Sequence, residues 1–151
     1  MELSVYLSGE IHSDWRDIIE TASEKHGLSV TFTKPVTDHY ASDNVGDKIL
    51  GNEQESFWKD QKAAKINSVR IYKQIQDADL VVVRFGDKYK QWNAAFEAGY
   101  AIAIGIPVIT LHGEELNHAL KEIDAAAEAV CRSPEQVAAV IAYSVKGILK
   151  N

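Results

Sequence analysis

Cysteine is nearly absent from this sequence: Cys131 is the only one in 151 residues. A disulfide needs two, so no internal bridge can form and nothing points to an oxidising compartment. Cys131 stands in the apolar stretch AAEAVCRS, where a cysteine reads as a small buried hydrophobe rather than a nucleophile. Positive charge is also scarce. Lys and Arg number 16 against 22 Asp and Glu, a formal net charge of −6. That argues against a nucleic-acid binder, which usually presents a basic face. Long apolar runs are missing too, and none approaches the ~18 residues of a membrane span. The opening MELSVYLSGE has neither the basic nor the long apolar region of a signal peptide. A cytoplasmic protein with no membrane or nucleic-acid partner is expected.

Familiar ligand fingerprints are absent as well. There is no G-x-G-x-x-G and no P-loop, and LSGEIHSD offers a single glycine after the first strand. His112 and His118 are six apart rather than the four of a helical metal pair. No Ser-His-Asp or Cys-His arrangement can be identified. No metal and no cofactor are expected.

What is present is an ordinary globular composition, 46% apolar and 25% charged, at a length that suits one domain over residues 1–151. LSVYLSG reads as a first strand and LSVTFTKP as a second, stopped by Pro35. Between them lies a helix capped by Ser13 or Asp14, with Trp15, Ile18, Ile19 and Ala22 on one face and Gly27 at its end. Residues 36–56 are polar and without a steady period, which predicts a long loop of functional or mobile character. A helix follows, with Ile66, Val69, Tyr72 and Ile75 recurring every three residues. DLVVVRF is a β-branched run expected of a central parallel strand. WNAAFEAGYAIAIG predicts a helix with Trp92, Phe96, Gly99 and Ala103 in one stripe, and IPVITLHG a fourth strand. EELNHALKEIDAA reads as one short helix and AEAVCR as a short fifth strand. The last helix opens on Ser133 as N-cap, Pro134 at N1 and Gln136 as the capping-box partner. This alternation predicts a three-layer, doubly wound α/β fold on a parallel sheet of about five strands, flavodoxin-like or Rossmann-like.

In such sheets ligands bind beyond the carboxyl ends of the strands. That rule selects Gly9, Glu10, Ile11 and His12 after the first strand, Arg84, Phe85, Gly86 and Asp87 after the third, and His112 after the fourth. Glu97 then falls about one turn inside the following helix, among Ala94, Ala98 and Ala101, with Asn93 and Tyr100 on its side. Near a helix N-terminus such a carboxylate ionises easily. It can serve as nucleophile, base or hydroxyl acceptor. A solvated helix glutamate or a salt-bridge partner is the plainer reading of the same spacing. Asp60, Asn67 and Arg70 fall on nearly one face of the preceding helix and form a second candidate group. Trp58 and Trp92 are candidates for stacking on a nucleobase, or for a core or subunit contact.

VYLSG, DADLVVVRF and NAAFEAGYAIAIGIPVITL together resemble the nucleoside 2-deoxyribosyltransferase-like superfamily. VVVRFGDKYKQWNAAFEAGYA with LNHALKEIDAAA is similar to its YtoQ family. The resemblance runs through most of the chain. It implies that Glu97 is a nucleophile that attacks an anomeric carbon and holds the sugar covalently, with Tyr6 beside it. It also implies a homo-oligomer. Two departures stand out. Ile71 and Gln91 occupy positions where the transferases carry acids. The expected activity is transfer or hydrolysis of an N-glycosidic bond in a nucleoside, nucleotide or related ribosyl compound. Glu97 is the expected catalytic group, and Tyr6, Gly9, His12, Asp60, Arg70, Phe85, Trp92 and Asn93 are the expected substrate contacts. The alternatives are a non-catalytic binder of the same ligands and an assembly protein.

Overall fold

The β-branched runs become strands and pair in parallel throughout. In the computed structural model, which describes residues 1–149, these are β1 (Leu3–Gly9), β2 (Val30–Thr33), β3 (Leu80–Arg84), β4 (Val108–Leu111) and β5 (Ala129–Cys131). Their order is β2-β1-β3-β4-β5. The chain winds one way from β1 and the other way from β3, so the switch point lies between these two strands. The expected doubly wound α/β architecture is what is seen.

Side chains alternate across the sheet and sort two cores. Val5, Leu7, Val82, Ile109 and Leu111 point to the side covered by α1 (Trp15–Lys25) and α6 (Pro134–Lys146). Tyr6, Val81, Val83 and Val108 point to the opposite side. There they meet α3 (Ser56–Asp77) and α4 (Trp92–Ala103), with α5 (Lys121–Ala126) alongside. Leu80 to Val83 are all buried, which explains why β3 is apolar at every position rather than at alternate ones.

The stretch 36–56 is not a loop. It contains α2 (His39–Leu50), whose N-cap Asp38 accepts a hydrogen bond from Ala41 N at 3.0 Å. No apolar period marks this helix because it packs on α3 and not on the sheet. Gly46 is its one buried residue, and a Cβ there would meet Lys62 Cβ at 2.5 Å. Polar bonds do the rest: Asn67 Nδ2 donates to Ser42 O at 3.0 Å and Lys59 Nζ to Asn44 Oδ1 at 2.8 Å.

The aromatic stripe of α4 also differs from expectation. Trp92, Phe96, Gly99 and Ala103 all face outward, and Ala94, Glu97, Ala98 and Ala101 form the buried face. Small residues let this helix lie close on the sheet, and the bulky ones are left outside. Val69 likewise projects into solvent from α3. The expected single helix over 114–126 is two pieces, a 3₁₀ turn at Glu114–Leu116 and α5.

Candidate functional site

The carboxyl end of β1 is held by backbone contacts and one buried cation. Gly9 has φ of +105°, and a Cβ on it would overlap the Arg84 carbonyl of β3. Glu10 N donates to that same carbonyl at 3.2 Å. The close approach this glycine permits is therefore to the neighbouring strand. Beneath the turn, Arg16 of α1 is 4% exposed. Its Nε donates to Leu7 O at 3.1 Å, Nη1 to Glu10 O at 2.7 Å and Nη2 to Gly9 O at 3.1 Å. Burial pushes the guanidinium down to about 10, which leaves it charged at neutrality. Burial works against the Glu10 carboxylate too. Donation from Ser13 Oγ at 2.5 Å and from His12 N, with Arg84 Nε 3.4 Å away, outweighs it and holds Glu10 below the usual carboxylate range.

Glu97 lies against this end of the sheet and is 8% exposed. Its Oε2 accepts from Ser8 Oγ at 2.5 Å and from Tyr6 OH at 3.4 Å. Its Oε1 accepts no hydrogen bond among the described residues. Burial raises the pKa of the carboxyl; the bonds from Ser8 and Tyr6 and the charge of Arg16 oppose the rise without cancelling it. Burial, then the charge and hydrogen bond of Glu97, push the Tyr6 phenol far up, so Tyr6 stays a donor.

Two cavities meet at this carboxylate, one of about 630 Å³ and one of about 480 Å³. Glu97, Asn93 and Ser42 line both. The larger runs along Gly9, His12, His39 and Trp92, and the smaller along Asp60, Asn67 and Phe96. Both volumes suit small-molecule ligands. A buried carboxyl group on their common wall can act as nucleophile, base or acceptor for a sugar hydroxyl.

The structure thus brings together Glu97, Tyr6, Gly9, His12, Trp92, Asn93 and Asp60. Tyr6 belongs to the core and reaches the site only by its hydroxyl. His12 packs its ring 4.9 Å from that of Tyr89. Phe85 is a core residue and Arg70 an exposed one, and neither lines these cavities. Trp58 leans on Phe57 at a ring distance of 4.9 Å, away from both. Tyr100 turns from Glu97 to accept from Gln76 at 2.7 Å. Gln91 accepts from Gly86 N at 3.0 Å and so braces the loop before α4.

Ser8 and Arg16 are the residues that the sequence did not single out. Ser8 was findable, since it lies two positions after Tyr6 on the same strand face. Arg16 was not, because its role is to satisfy carbonyls that only the folded turn brings together. Among the described residues there is no group of three or more metal-ligating side chains, and no helix is long and apolar enough to cross a membrane.

A family model described as nucleoside 2-deoxyribosyltransferase YtoQ matches residues 6–145. The chain belongs to the YtoQ family. A Bacillus subtilis (strain 168) protein, named "Uncharacterized protein YtoQ", is 42% identical over 143 residues, spanning 95% of this chain and 97% of that one. Solved structures extend the likeness in fold. A 2-deoxyribosyltransferase from Bacillus psychrosaccharolyticus superposes with a TM-score of 0.56 at 20% identity, covering 89% of this chain and 90% of its own. A conserved protein from Enterococcus faecalis V583 gives 0.62 at 15% identity, covering 92% and 96%.

Proposed function

We propose that this protein transfers or hydrolyses the N-glycosidic bond of a nucleoside, nucleotide or related ribosyl compound, with Glu97 as the nucleophile. The observation that carries this reading is one carboxylate: buried, hydrogen-bonded through Oε2 alone among the described residues, on a side chain that lines two cavities at once. One cavity can take the sugar and the other the base. Oε1 attacks the anomeric carbon, the carbon–nitrogen bond breaks, and its electron pair leaves with the base nitrogen, which takes up a proton. A second base or water then bonds to the same carbon and releases Glu97. An adjacent carboxylate suits the oxocarbenium-like character of both steps. Asp60 contacts substrate from the smaller cavity. Gly9, His12, Trp92 and Asn93 contact substrate from the larger cavity, and Tyr6 orients the nucleophile. The YtoQ family membership and the transferase-like fold support the reading. We place the work in the cytoplasm, carried out by one domain over residues 1–151, in a homo-oligomer.

A second reading has its own observation. Ile71 and Gln91 stand where the resemblance leads one to expect acids, and Gln91 is committed to Gly86. A pocket without those acids can bind a nucleoside or nucleotide through Glu97 and not cleave it. A thermal-shift panel of nucleosides, deoxynucleosides, nucleotides and ADP-ribose compounds, with each hit assayed for free base, separates the two. Stabilisation with base release upholds the enzyme. Stabilisation without release, or release that survives Glu97→Ala, sinks it.

A further inference from the structure

Ser8, packed beside Glu97, has a single side-chain partner among the described residues. Its side chain is fully buried, and its hydroxyl bonds to Glu97 Oε2 at 2.5 Å and to nothing else among the described residues. A hydroxyl sealed from water is costly without a bond, and alanine would fit the same strand position. Tyr6 reaches the same oxygen at 3.4 Å, a much weaker contact. Both donors stand on one face of β1, in register with Val81 and Val83 of β3, so the strand pairing sets where they point. Oε2 is thereby occupied from the sheet side, and Oε1 has no hydrogen-bond partner among the described residues.

We propose that Ser8 is a positioning residue that makes Oε1 the reacting oxygen of Glu97 and speeds release of the sugar from it, both parts resting on the glycosyl reading above. The reason is electrostatic. While Glu97 is a free carboxylate, Ser8 donates to an ionised oxygen. Once Oε1 bonds to the anomeric carbon, Oε2 becomes the carbonyl oxygen of a neutral ester. Hydrogen bonds to ionised oxygens are roughly twice as strong as neutral ones. The Ser8 bond therefore weakens as the ester forms and strengthens as it breaks. In the breaking step the Oε1–carbon bond opens and its electron pair returns to the carboxylate. The incoming water oxygen or base nitrogen bonds to the carbon and gives up its proton. Ser8 thus favours the free enzyme over the glycosyl-enzyme.

Three variants test this: Ser8→Ala, Ser8→Cys, which keeps a weak donor of similar size, and Tyr6→Phe. The first readout needs no turnover. Protein carrying carboxyl-labelled glutamate is titrated by carbon NMR, with Glu97→Gln assigning the Glu97 signal. The Glu97 proton affinity should rise by about tenfold in Ser8→Ala, a shift of about one pH unit, by less in Ser8→Cys, and least in Tyr6→Phe. An unchanged midpoint in Ser8→Ala overturns the proposal, and Ser8→Cys keeps it open to refutation if the alanine variant does not fold. The second readout is intact mass during turnover of a nucleoside substrate. Ser8→Ala should hold severalfold more of the covalent adduct than the parent, and less adduct overturns the release step. If the parent cleaves no nucleoside while the titration order holds, the glycosyl reading fails and takes both reaction roles of Ser8 with it, whereas a flat titration overturns the proposal alone.

Discussion

Two buried polar clusters stand on the carboxyl edge of this sheet, and they are built to opposite ends. One surrounds Glu97 at β1 and β3. The other follows β4, where His112 is 1% exposed. Its Nε2 lies 3.0 Å from both oxygens of Asp124, and its Nδ1 is 2.8 Å from Gly113 O. Thr110 Oγ1 donates to Asp124 at 2.8 Å, and Arg132 spans from His112 O at 3.2 Å to Asn117 Oδ1 at 2.7 Å. Here each polar side chain is spent on the protein itself, and neither cavity reaches the cluster. The effect is to tie α5 and the 3₁₀ turn to β4 and β5. At Glu97, by contrast, one oxygen has no hydrogen-bond partner among the described residues, on a side chain that lines both cavities. Buried polarity alone does not mark a site; buried polarity with an acceptor left over beside a cavity does.

The contrast can be broken most decisively at Glu97 itself. Glu97→Gln should lower base release by about four orders of magnitude, as loss of a covalent nucleophile does. It should nonetheless melt no lower than the parent. The raised pKa means that the folded state holds this proton more tightly than the unfolded chain. Stability therefore falls as pH rises from the ordinary carboxylate range through the folded value. The glutamine removes that loss, and melting curves across this window should show the variant gaining on the parent as pH increases. A variant less stable at neutral pH would erase the distinction.

Asp124→Ala should do the reverse. It leaves His112 Nε2 and Thr110 Oγ1 without partners and costs about 2–3 kcal/mol in denaturant unfolding. Base release per folded molecule should stay within about twofold. A large fall in kcat at unchanged stability would make this cluster part of the site.

Glu10→Gln tests whether the β1 turn is structural. It should cost about 1 kcal/mol at neutral pH through weaker bonds from Ser13 and His12. Because the folded pKa of Glu10 is depressed, its contribution is present above the unfolded carboxylate range and is lost as pH falls through the folded value. The difference between variant and parent should close in acid. A gap that persists there would show that charge is not the cause.

Trp92→Ala should have the smallest effect on the fold. This side chain is exposed, so stability should change by less than about 0.5 kcal/mol. Its place on the larger cavity predicts a rise in KM with little change in kcat, measurable by steady-state kinetics.

The elements that announced themselves did so through local chemistry. The β-branched run of β3 could only be a strand covered on both faces. Ser133, Pro134 and Gln136 open α6 much as their spacing requires: Ser133 Oγ accepts from Gln136 N at 3.3 Å, and Gln136 Oε1 accepts from Arg132 N at 2.6 Å. Where the packing partner was not the sheet, the pattern went silent. The helix α2 rests on α3 through a glycine and polar bonds, so no apolar period could reveal it. The stripe of α4 was real, but a stripe does not say which side of the helix is buried.

The sequence by itself determined the layers, the approximate strands and the glutamate worth watching, because these follow from residue-by-residue preference and period. Only the tertiary structure decided that the aromatics of α4 face outward, that Ser8 and Tyr6 share one oxygen of Glu97, and that Arg16 locks the turn beneath them. These depend on which atoms from distant stretches come within hydrogen-bond reach. Strand register and the close approach of backbones set that, and no local pattern records it.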